Sequence, residues 1–96
     1  MKIIAIGKIK GNMEKINELM KPEATMAWNL YTKGVFREIY LSTEQVPRSV
    51  IVMECENVSE AKKIIQELPL VKNKVTEYDF IPVGPFGALA SLFSTE

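Results

Sequence analysis

The chain has no histidine among its 96 residues. That absence removes imidazole bases, Ser-His and Cys-His catalysis, haem ligation through histidine and most zinc sites. Proton transfer at neutral pH then falls to a carboxyl group, tyrosine, lysine or cysteine with a shifted pKa. Cys55 is the only cysteine, so no internal disulfide can form, and a reducing, cytoplasmic setting is expected. No basic neighbour in sequence activates this thiol as a nucleophile. Lysine and arginine number 12, as do aspartate and glutamate, which leaves a net charge of zero. Without a basic stripe, neither nucleic acid nor an anionic membrane is expected as a partner. The opening KIIAIGKIK is too short and too charged for a signal peptide or a membrane span. No convergent carboxylate cluster marks a metal site, and no cofactor is expected.

What is present is an ordinary globular composition, 47% hydrophobic and 25% charged. Residues 1–96 read as one domain with a modest core. Lys2 to Lys8 is apolar on both faces, which predicts a central strand. Gly11 and Asn12 give a turn and a helix cap. A helical period then runs from Met13 to about Lys33, through Ile16, Leu19, Met20, Ala27 and Leu30. Pro22 inside it predicts a kink or two helices end to end. Gly34 is the stop signal.

Val35 to Leu41 predicts a strand of mixed polarity and therefore an edge. Strict alternation puts Val35, Arg37, Ile39 and Leu41 on one face and Phe36, Glu38 and Tyr40 on the other. Ser49 to Cys55 is apolar on both faces, a second central strand. Asn57 and Glu60 form a capping box for a helix carrying Val58, Ala61, Ile64, Ile65 and Leu68 on one stripe. Pro69 ends that helix, and Thr76 to Pro82 predicts the last strand. The tail, residues 83–96, keeps Phe86, Leu89, Leu92 and Phe93. It is too apolar for a disordered end, and docking on a partner subunit is expected.

The order βαββαβ is the ferredoxin-like pattern. Right-handed crossovers put both helices on one face of a four-stranded antiparallel sheet. The other face of the two central strands is still apolar. Its simplest cover is a second copy, sheet against sheet, so a homodimer is expected.

Three stretches, taken in order, carry a resemblance: KGVFREIYL, SVIVMECENVSEAKKIIQELPL, and the acidic strand TEYDFIP after LPL. Together they resemble the dimeric α+β barrel superfamily and, within it, the muconolactone isomerase-like group. The resemblance implies a cofactor-independent proton transfer on a lactone or an unsaturated acid, and rings of dimers. It matches Arg37 to a strand arginine and Phe36 and Tyr40 to aromatic positions. Glu38 stands where muconolactone isomerases proper tend to carry a histidine.

The residues themselves nominate candidates. Glu23 falls in the middle of the apolar stripe of the first helix. A carboxyl there has a raised pKa and can carry a proton, or it pairs with Arg37, or it caps a helix end broken at Pro22. Arg37 can anchor a substrate carboxylate bidentately or serve a structural ion pair with Glu23 or Glu54. Trp28 and Tyr40 suit the walls of a small-molecule pocket, and core packing explains them equally. Glu38 and Glu54 are further pocket candidates. Alternation forbids Arg37 and Glu38 from sharing a face unless the strand is bulged. Two functions remain open: an isomerase with Glu23 as proton carrier, and a non-catalytic dimeric binder of a small acid using the same pocket. A structural oligomer without a pocket is the third.

Overall fold

The computed structural model describes residues 1–93. Its elements are β1 (Lys2–Ile9), α1 (Met13–Thr32), β2 (Phe36–Leu41), β3 (Ser49–Glu54), α2 (Val58–Gln66), α3 (Pro69–Lys72), β4 (Thr76–Val83) and a 3₁₀ helix (Gly87–Phe93). The strands form one antiparallel sheet in the order β2-β3-β1-β4. The two doubly apolar strands thus lie in the middle and β2 lies at an edge, as their polarity predicts.

The pleat sorts the side chains. Ile3 and Ala5 of β1, with Ile51 and Met53 of β3, are buried beneath the helices. Phe36, Ala61, Ile65 and Leu68 complete that core, and Met26, Ala27 and Leu30 of α1 pack against it. The alternate residues, Ile4, Ile6, Val50 and Val52, lie on the opposite face and remain partly exposed. No described element covers that face.

Helix α1 is one continuous element through Pro22, not two helices. Proline removes the donor to the Glu18 carbonyl. Both residues are exposed, so water can take the lost bond. Asn12 caps α1, its side chain accepting from Lys15 N at 2.9 Å. Asn57 caps α2 by accepting from Glu60 N at 2.8 Å. The Glu60 carboxylate accepts in return from Glu56 N at 3.3 Å, one residue short of the expected box. Pro69 does end the chain's path through α2, but it also opens α3, a short helix the periodicity did not predict. Proline is suited to a first helical position because its missing N–H is not needed there.

Both α1 and α3 end in the same way. After α1, Val35 N donates to Leu30 O and Gly34 N to Tyr31 O. After α3, Val75 N donates to Leu70 O and Lys74 N to Val71 O. This paired pattern needs a left-handed residue just past the helix. Gly34 meets it with φ 78°, whereas the second position is Lys74, with φ 59°.

Beyond Val83 the chain leaves the body. The radius of gyration is 16.0 Å with extents of 60 × 30 × 20 Å, against about 12–13 Å for a compact domain of this length. Phe86, Leu92 and Phe93 are 72%, 74% and 83% exposed. Residues 94–96 of the expected docking tail lie outside the described residues.

Candidate functional site

Strand β2 is bulged. Phe36 pairs with Met53, yet Glu38 pairs with Val52, so one extra residue, Arg37, has no partner on β3. The bulge overturns the simple alternation expected for this strand. Phe36 turns to the helices and is fully buried. Glu38 and Tyr40 pair with Val52 and Val50 and so face the open side. Arg37 joins them there: it lines a cavity of about 430 Å³ together with Lys2, Glu38, Val52 and Glu54. A bulge re-aims a side chain in this way at the cost of one ladder position.

The polar groups of this cluster are only partly committed. Tyr40 donates a short hydrogen bond to Glu38 Oε1. That bond to a carboxylate pushes the phenol of Tyr40 above its ordinary pKa. Glu54 Oε1 accepts from the N-terminal ammonium at 3.3 Å. Arg37 and Lys2 make no ion pair among the described residues. The Arg37 guanidinium lies back over Gly34, where a Cβ would stand 3.6 Å from Nη1. A free guanidinium and an ammonium beside a carboxylate–tyrosine pair can hold an anion and exchange a proton with it.

Of the six nominated residues, three line this cavity, Arg37, Glu38 and Glu54, and Tyr40 adjoins it through its bond to Glu38. Glu23 does not. It lies on the helix side of the sheet, half-buried, with Oε1 accepting from Leu70 N at 3.0 Å. It therefore caps α3, whose own cap residue Leu68 offers no side-chain acceptor. Burial pushes its carboxyl above the ordinary value, and the Leu70 bond pulls partly the other way. Glu23 and Arg37 share neither an ion pair nor a pocket, because the sheet separates them. Trp28 is also elsewhere. It is 62% exposed on the outer surface of α1, stacked on Tyr31 with ring centroids 5.6 Å apart; it is neither core nor cavity wall.

Lys2 is the cavity member that inspection of single residues missed. The bulge had a signal of its own. Phe36, Ile39 and Leu41 are spaced by three and then two, a pattern that only an inserted residue places on one face. Cys55 is buried and free, and burial raises its thiol pKa further. No group of three metal-ligating side chains occurs among the described residues. No described helix is long and apolar enough to cross a membrane.

An antiparallel βαββαβ sheet with both long helices on one side defines an α+β domain of the ferredoxin-like class. More narrowly, its fold is that of the muconolactone isomerase-like group. A crystal structure of muconolactone isomerase is similar with a TM-score of 0.71, covering 88% of this chain and 90% of that one, at 16% sequence identity. No family model matches the sequence, and no curated protein does.

Proposed function

We infer that the chain works as a homodimer, open face to open face, and carries out a cofactor-independent proton transfer on a small lactone or unsaturated acid. The observation that carries this reading is the bulge, which puts Arg37 with Glu38 and Glu54 in one cavity, with Tyr40 hydrogen-bonded to Glu38. In this scheme Arg37, with Lys2, anchors the carboxylate of the ligand. Glu38 takes a proton from carbon and returns it to another position. Tyr40 holds Glu38 in place through their hydrogen bond. Glu23 is left to its capping role. The likeness to muconolactone isomerase supports the fold and leaves the reaction as our proposal. The tail beyond Val83 is part of the same scheme as a docking arm between subunits, and the single thiol fits a cytoplasmic setting.

The test is solvent exchange. Candidate lactones and unsaturated acids are held with the protein in D₂O, and deuterium at the carbon next to the carbonyl is followed by NMR. Wild type should exchange it. Glu38→Gln should slow exchange by about 10²–10⁴-fold, the usual worth of a positioned proton carrier, with ligand shifts still visible. Arg37→Ala should weaken the ligand shifts themselves. A protein that binds these compounds and exchanges nothing would favour the second reading, a dimeric binder. That reading has one observation of its own: Glu23, the carboxyl with the raised pKa, is occupied by the end of α3.

A further inference from the structure

A second cavity lies on the other side of the sheet, between α2, α3 and the β4 edge. Its volume is also about 430 Å³, within the range of small-molecule sites. Ile65, Val71 and Phe80 give it an apolar floor, and Tyr78 closes one wall. The Tyr78 ring lies directly on Gly7, where a Cβ would come within 2.7 Å of it, so the wall is closely backed. Three lysines are among its lining residues, Lys10, Lys62 and Lys74. Lys10 is neutralised by Glu77 at 3.2 Å. Lys62 and Lys74 have no carboxylate partner among the described residues.

Lys74 supplies an independent observation. It occupies the left-handed position past α3, with φ 59°. The equivalent position past α1 is glycine, which takes that conformation without steric cost. A lysine there is strained, and strain of this kind collects where a side chain has a task. Lys74 is also one of the residues that line the groove.

We propose that this groove is a binding site for a small organic anion with a flat apolar body, its head group held by Lys62 and Lys74. The floor buries the apolar part and the two unpaired ammonium groups receive the charge. The site is separate from the Arg37 cavity and does not depend on the function inferred for it.

The probe is 2-naphthoate, with naphthalene-2-carboxamide as its neutral counterpart, titrated into the full chain and followed by amide shifts. The naphthoate should move the amides of Lys62, Val71, Lys74 and Tyr78. Lys74→Gly should weaken it about tenfold, as expected for loss of a charge-assisted contact. The same variant should raise the melting temperature by about 3–6 °C, because glycine relieves the backbone. Lys62→Gln should weaken naphthoate without the stability gain, and neither variant should affect the carboxamide. Unchanged naphthoate affinity in Lys74→Gly would overturn the proposal. So would shifts confined to Arg37, Glu38 and Glu54. Binding that emerges only after removal of residues 84–96 would also overturn it, by assigning the groove to the tail of another copy.

Discussion

At the scale of the residue, Glu23 decides most. Its carboxylate sits at the N-terminus of α3, where a negative charge and an acceptor are both favourable. Burial opposes the charge, and burial is the larger influence, since the net shift is upward. A carboxyl whose pKa is raised on folding contributes stability that is present at acid pH. That contribution is lost as pH rises through the folded value. Glu23→Gln keeps an acceptor for Leu70 N–H and has no charge to bury. It should therefore match or exceed wild type in urea denaturation at pH 7, with the advantage vanishing below about pH 4. Glu23→Ala removes the acceptor as well and should lose about 1 kcal/mol, the usual worth of a cap. A Gln variant clearly weaker than wild type at pH 7 would mean that the charge on the helix end outweighs burial. The inward direction of Glu23 was legible from the helical period alone. Its partner was not, because a four-residue helix opened by a proline leaves no periodic trace.

At the scale of the element, the turn from α1 into β2 sets the site. Gly34 ends the helix with φ 78°, and three residues later Arg37 is left without a β3 partner. The Arg37 guanidinium lies over the glycine, so the two features are neighbours in space as well as in sequence. Gly34→Ala puts a Cβ into a left-handed conformation, which costs about 1–2 kcal/mol. The paired bonds to Leu30 O and Tyr31 O hold the backbone there, so the residue has little room to relax. Chemical denaturation should show that loss, and the amide shifts of Arg37 and Glu38 should move with it. A stable variant with an unshifted β2 would separate the helix stop from the bulge. The strand itself was legible in its composition, and so was its edge position. Which side chain faces which way was not, since one inserted residue reverses everything that follows it. Central strands gave no such difficulty: Lys2–Ile9 and Ser49–Glu54 are apolar on both faces, so their place in the middle of the sheet follows from composition whichever set faces the helices.

At the scale of the whole molecule, two apolar surfaces are left uncovered, and they make different demands. The open sheet face presents Ile4, Ile6, Val50 and Val52, with Ile81 of the β4 edge 46% exposed beside them. An apolar sheet face is well suited to an isologous two-fold contact. The tail is different. It projects from the body, with Phe86, Leu92 and Phe93 largely exposed. In the proposed scheme a neighbouring subunit covers these side chains. Two variants separate these roles by mass measured in sedimentation or light scattering. Ile6→Asp puts a charge in the centre of the sheet contact, where an unpaired buried charge is costly, and should leave monomers. A chain ending at Val83 should keep the dimer and its thermal midpoint while losing any assembly larger than two. If the full chain is itself monomeric at high concentration, the homodimer fails, and the Arg37 cavity must then bind its ligand open to solvent. If the shortened chain falls to monomers, the tail rather than the sheet holds the pair together, and the open face is left as the site to probe with ligands.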